Sequence, residues 1–388
     1  MRQPYEEERE DRVSQGQVDI AEPGRNEEPT FGFGRRRIAE TLFVVVLLVG
    51  GIYFLFPKVV GVSGTFDRLG EASVPWLVVA GAFDVAAYAA YVALFRGVVG
   101  SLVRLDWREA YQVTMAGLAA SLLFSAGGAG GVVLTYWALR KAGMERRQAA
   151  CRMVAFLILL YSVYMLAVLL DGILLRTGLL HGPNPAGLTI VPAAIAGALI
   201  AGLLLLTLVP GDLERRFSSA SEAERLGRLA RRFATVPATL ASGARTALDL
   251  VRSPSRGGLA VGGAIGYWAA NIGILWASFH GYGTSVPLGV VVMGFFVGLA
   301  ANLIPLAPAG VGAVDAGMIG VFVLFGYNGA DVFPAVLTYR LLAFWLPIPP
   351  GVIAFFQLRH TVARWEDEGR PGEGNTPAQP HPILQKVK

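Results

Sequence analysis

Cysteine is nearly missing from this chain: Cys151 is alone among 388 residues. One thiol closes no intramolecular disulfide and builds no multi-cysteine metal site. Histidine is scarce too. There are four, none in a metal-ligand spacing, and His360 and His381 fall in or beside the C-terminal tail. No Ser/His/Asp set presents itself and no H-E-x-x-H occurs, so an enzymatic reading has little to rest on and no cofactor or metal is expected. Charge is thin, 16% of residues against roughly a quarter in soluble domains. The short segments of alternating polarity that a membrane barrel requires are also missing. What remains is apolar. The chain is 54% hydrophobic, its mean hydropathy is +0.53, and several uninterrupted segments reach about 18 residues, the length of a membrane-crossing helix. These features predict an all-α polytopic membrane protein. In such a protein a net charge of +5 reflects cytoplasmic loops rather than nucleic-acid binding.

Residues 1–34 are polar and Glu-rich and are expected to be disordered. The first apolar run starts too late and is too long for a cleaved signal peptide. Arg35-Arg36-Arg37 abuts the first span, Ile38–Phe56, and by the positive-inside rule lies in the cytoplasm. Further spans are expected at Val74–Phe95, Ala149–Leu170, Leu188–Val209, Gly258–His280 and Pro334–Phe356, with 171–187 an external loop. The basic stretch 210–257 falls inside. There Ser221 and Glu224 fit a capping box, and the apolar residues that follow recur at helical spacing, as in a helix lying on an anionic leaflet. Both termini fall inside, and 361–388 reads as a disordered tail.

Two stretches break the apolar pattern. The first is the glycine run Gly127, Gly128, Gly130, Gly131, after which only Val132–Leu139 is apolar before Arg140 and Lys141. Eight helical residues cover about 12 Å, too little for a hydrocarbon core of about 30 Å, so 110–139 is expected to re-enter. The run lacks the lysine ending of a Walker loop and follows no strand. The stretch 127–131 is expected to be non-helical, and its glycines read either as a phosphate-holding broken helix or as close helix packing. The second break holds Pro305, Pro308, Gly310 and Gly312, followed by Asp315. Prolines remove backbone donors and glycines permit unusual backbone, and lipid cannot satisfy the groups so freed. Each break sits between two crossings, in 74–170 and in 258–356. The expected architecture is therefore two inverted units, each with a broken or re-entrant helical hairpin, a plan found in transporters.

Asp84, Asp315 and Arg340 are the ionisable residues deepest in apolar segments. A lone charge there costs roughly 2.5–3.5 kcal/mol on insertion scales. Asp315 and Arg340 are therefore expected to pair, either as an anion site in which Asp315 holds the guanidinium or as a structural lock between helices.

The breaks together with Tyr339-Arg340 resemble the lysylphosphatidylglycerol synthase transmembrane-region family, the flippase-like membrane domain also found without its synthase. The residues that carry the likeness are Pro305, Pro308, Gly310, Gly312, Asp315, Gly326, Tyr339 and Arg340, with Ser125 to Gly131, Leu139-Arg140 and Gly143 in the earlier half. The family commonly has Glu where Asp315 stands, and an acid often closes the first motif, where Gly131 and Val132 stand here. Only a short tail follows residue 360, so the resemblance implies lipid translocation or binding and not aminoacylation. It implies substrate contacts at the two break motifs, Asp315, Tyr339 and Arg340, in a multi-pass protein of the cell (inner or plasma) membrane. Membrane lipids are the expected partners, nucleic acid is not, and homo-oligomerisation is left open. The alternatives are a lipid or polyprenyl-phosphate transferase, which would need clustered acids, and a non-transporting scaffold.

Overall fold

The computed structural model describes residues 70–100, 102–103, 105–123, 129–207, 239–303 and 312–367, all within the larger of the chain's two compact units, Val45–Lys388. The expected span 38–56, the stretch 210–238 with its capping box, and the tails 1–34 and 368–388 lie outside the described residues.

The elements are α1 (Val74–Val99), α2 (Trp107–Leu123), α3 (Ala129–Lys141), α4 (Arg146–Arg176) and α5 (Ala186–Thr207). A helical stretch over 239–252 precedes α6 (Pro254–Gly281). Then come α7 (Leu288–Leu299), α8 (Ala313–Leu324), α9 (Gly329–Arg340) and α10 (Ile348–Asp367). The described residues contain no strand. The helices α1, α4, α5, α6 and the α9–α10 run are long and apolar enough to cross a membrane. The chain is thus an all-α polytopic membrane protein, as its composition predicts.

The helix ends follow from local chemistry. Extended Ser73 and a proline in the first turn open α1, and Gly100 closes it at φ 63°. Arg96 and Arg176 sit in the last turns of α1 and α4, where a cation meets the negative end of the helix dipole. Two differences from the sequence reading stand out. Helix α4 runs on through Arg176, so Asp171 is helical and only 5% exposed, not part of an external loop. Helix α10 runs to Asp367, seven residues into the expected tail.

In lipid, apolar burial does not drive helices together; close backbone packing does. The long helices α1 and α6 pack antiparallel on this principle. Ser73 donates its N–H to Gly281 O at one end (2.8 Å), and Gly97 lies against Ala260 at the other. Between them a Cβ at Gly263 would meet the Leu94 backbone, and one at Gly273 would press on Phe83 at 2.8 Å. An aromatic layer fills the level below, where α6, α4 and α7 meet. There Trp268 donates to Leu160 O and stacks edge-on with Tyr164 and Phe296.

Over their described residues, four helices are shorter than a typical crossing of about 20 residues. At 1.5 Å per residue α2 reaches about 25 Å, α3 about 20 Å, and α7 and α8 about 18 Å each. α2 packs with α3 and α7 with α8. Each pair then meets a long helix distant in sequence, α2 against α10 and α7 against α4.

Candidate functional site

The second pair carries the site. Helix α8 is preceded by its N-cap, Gly312, whose φ of 81° is open to glycine and costly for other residues. Asp315 occupies the third helical position and turns its Oδ2 back to accept the Gly312 N–H at 2.8 Å. A carboxylate in the first turn satisfies an orphan donor and meets the positive end of the helix dipole. Its other oxygen, Oδ1, lies 2.8 Å from Nε of Arg340. That contact is off the N–H axis, so it is an ion pair rather than a linear hydrogen bond.

Arg340 is the last residue of α9, again a place where a helix dipole favours a cation. It is 5% exposed, and the Phe344 ring covers its guanidinium at 4.3 Å. Among the described residues Nη2 has no hydrogen-bond partner. A guanidinium offers five donors, and Asp315 uses one edge of it. Nη2 is enclosed yet unspent.

Arg340 leads into a single π-helical turn, Leu341–Trp345, closed by the Leu346 N–H on Leu341 O at 3.0 Å. The cause lies downstream. Pro347 has no N–H, so the Ala343 carbonyl four residues earlier loses its helical donor. Tyr88 of α1 supplies a replacement, its hydroxyl donating to Ala343 O at 2.7 Å. Such π turns recur at functional sites. Tyr339, next to Arg340, is buried and meets Phe295 of α7 edge-on at 5.6 Å. It lies within electrostatic range of Arg340, Tyr267, Asp315 and Asp84. Asp84 itself sits mid-way along α1, 4% exposed, with Oδ1 enclosed and unpartnered among the described residues.

The structure therefore brings together Gly312, Asp315, Tyr339 and Arg340, and it makes the expected Asp315–Arg340 pair. Pro305, Pro308, Gly310, Gly127 and Gly128 lie outside the described residues. Gly130 and Gly131 correct the sequence reading, which expected a non-helical break over 127–131. Both are inside α3, and a Cβ on Gly131 would strike the Ser121 hydroxyl and the Gly117 carbonyl of α2. That contact is the close-packing reading of these glycines. Sequence reasoning missed Tyr88, the π turn and Asp171. Pro347 four residues past Ala343 was a legible sign of an orphaned carbonyl. Nothing in the sequence pointed to Tyr88 as its donor.

The family model described as the lysylphosphatidylglycerol synthase TM region matches residues 40–351. Two UPF0104 membrane proteins of Methanothermobacter thermautotrophicus are also similar to the chain. One is 34% identical over 92 residues, 22% of this chain and 26% of the relative. The other is 26% identical over 91 residues, 24% of this chain and 26% of the relative. The aligned parts thus span about a quarter of those curated relatives. The family match, by contrast, runs from before α1 into the start of α10 and takes in Gly312, Asp315, Tyr339 and Arg340. A chain matched over that range belongs to the lysylphosphatidylglycerol synthase transmembrane-region family.

Proposed function

We propose that this membrane protein binds an anionic lipid headgroup at Arg340 and moves it between the leaflets of the cell membrane, with no covalent chemistry. The observation that carries the reading is the state of Arg340. It is enclosed among apolar helices and paired through Nε with Asp315, and its Nη2 has no hydrogen-bond partner among the described residues. A planar fork with one edge fixed presents its remaining donors in a set direction, which suits a phosphate. The guanidinium is covered in this conformation, so a headgroup reaches it only when the elements around Phe344 move. An occluded site of that kind fits alternating access.

The short pairs support the same reading. We take α2–α3 and α7–α8 as re-entrant hairpins in corresponding places of two inverted units, α1–α4 and α6–α10. Their lengths fall short of the hydrocarbon core. Basic clusters at Arg140-Lys141, Arg146-Arg147 and in 210–257 put those segments and both termini in the cytoplasm. Ser255 is exposed at the start of α6, and Ser255→Cys in a Cys151→Ser background tests the orientation. Labelling from outside intact cells would reverse it.

The test of function is transfer of a fluorescent phosphatidylglycerol between leaflets of proteoliposomes, counted per folded molecule. Arg340→Lys keeps the charge but loses the fork, so transfer should fall while folded yield holds. Full transfer by folded Arg340→Ala protein would reject the assignment.

A further inference from the structure

The buried chemistry around Arg340 contains one group that the headgroup reading leaves unused. Asp84 is enclosed on α1 with Oδ1 touching no donor, and the described residues place no cationic side chain against it. The groups within electrostatic range of it are tyrosines: Tyr88 on its own helix, Tyr267 on α6 and Tyr339 on α9. Helix α4 adds Tyr161, next to Tyr267. The titratable residues at the start of α2, Arg108, Glu109 and Tyr111, follow Trp107, which packs on Arg96 near the C-terminal end of α1, away from Asp84. The π turn Leu341–Trp345 has no titratable side chain.

Enclosure decides what Oδ1 of this carboxyl group can hold. A headgroup or a hydrated ion needs room beside the oxygen it meets, and Oδ1 is enclosed. A proton needs no room. An enclosed carboxylate without a counter-charge is also far costlier than the carboxylic acid.

Position decides what the proton would control. Tyr88 lies four residues after Asp84, hence on the same face of α1. Its hydroxyl is committed to Ala343 O, the carbonyl that Pro347 leaves without a donor. Ala343 adjoins Phe344, the ring that covers Arg340. One hydroxyl thus connects Asp84 to the lid of the guanidinium.

We infer that Asp84 is a proton-binding site whose occupancy, relayed by Tyr88 to the π turn, sets whether Arg340 is covered or open. With the proton on, the carboxylic acid leaves the Tyr88 hydroxyl on Ala343 O. When the proton leaves to water, Asp84 becomes a carboxylate, the stronger acceptor, and draws the Tyr88 hydroxyl to itself. Ala343 O then loses its donor, the π turn loosens, and Phe344 leaves the guanidinium. The ligand is a proton, and its consequence is a translocation rate that responds to a pH gradient. This second step rests on the headgroup reading of Arg340; the protonation of Asp84 does not.

Two measurements on the full-length protein separate them. The first is infrared spectroscopy in detergent at neutral pH, reading the C=O stretch of protonated carboxyl groups. Wild type should show the band and Asp84→Asn should lose its share of it. Asp171→Asn serves as the control for the other enclosed acid on a long helix. Tyr88→Phe should keep the Asp84 share. The second is phosphatidylglycerol transfer in proteoliposomes with and without an imposed pH gradient. The gradient should accelerate wild type and Asp171→Asn. In Asp84→Asn and Tyr88→Phe the gradient should have no effect, at unchanged folded yield. An unaltered carboxyl band in Asp84→Asn would overturn the proton site. A full gradient response in either Asp84→Asn or Tyr88→Phe would overturn the relay. Wild type that moves no lipid under any condition would overturn the headgroup reading, and the infrared band would still decide Asp84.

Discussion

The two short helix pairs look alike in sequence, each an apolar run broken by glycine, yet they are held in different ways. In α2–α3 the glycine is consumed by packing. Gly131 lies against Gly117 and Ser121, and two polar side chains of α2 are spent on α10, where Thr361 donates to Gln112 Oε1 at 2.8 Å and Trp365 to Glu109 Oε1 at 2.8 Å. In α7–α8 packing also uses glycine, Gly298 against Met318, but the start of α8 is left to a charge. There a glycine with positive φ turns an acid onto a buried arginine that keeps a donor in reserve. Glycine runs at membrane depth therefore do not identify a binding site. A buried, incompletely satisfied charge beside one does.

That contrast can be broken from either side. The largest loss is expected for Asp315→Asn, which leaves a buried guanidinium without its counter-charge. Removing one partner of such a pair costs about 3–5 kcal/mol, to be read from denaturation in mixed detergent. Gly131→Val should come next. Its new side chain would collide with the Gly117 backbone, which cannot rotate away, at about 1–3 kcal/mol. It should lower stability without changing transfer per folded molecule, and a selective loss of transfer would restore Gly131 as a site residue. Gly312→Ala strains a φ of 81° by about 1–2 kcal/mol. It should also reduce transfer, since it moves Asp315; unchanged transfer would separate that turn from the site. The smallest effect belongs to Thr361→Val, which removes one buried hydrogen bond worth roughly 0.5–1.5 kcal/mol and should leave transfer intact.

The membrane class and the position of the described long helices were readable because a water-soluble fold rarely carries apolar runs of spanning length. The Asp315–Arg340 pair was readable for a related reason, since two deep charges in neighbouring segments are each costly alone. Asp171 was misplaced because a charge at the edge of an apolar run looks the same whether the chain leaves the membrane or continues as buried helix. The fate of Gly131 depends on how near α2 comes to α3, a distance that no local pattern encodes. The π turn was half-visible in Pro347. Its donor, Tyr88, is 255 residues before the carbonyl it serves, and a separation of that size leaves no trace in composition or periodicity.

The antiparallel seam of α1 and α6 has a consequence for biogenesis. α1 ends at Val99 and α6 begins at Pro254, so 154 residues intervene (254 − 99 − 1). At about 5–20 residues per second, a ribosome takes roughly 8–30 s to make them. Throughout that interval the face of α1 that carries Gly97 stands in the bilayer without its mate. The early half of the chain is therefore inserted long before it is assembled. Its survival until α6 arrives is a matter for the insertion machinery and the membrane's proteases as much as for the contacts of the finished fold.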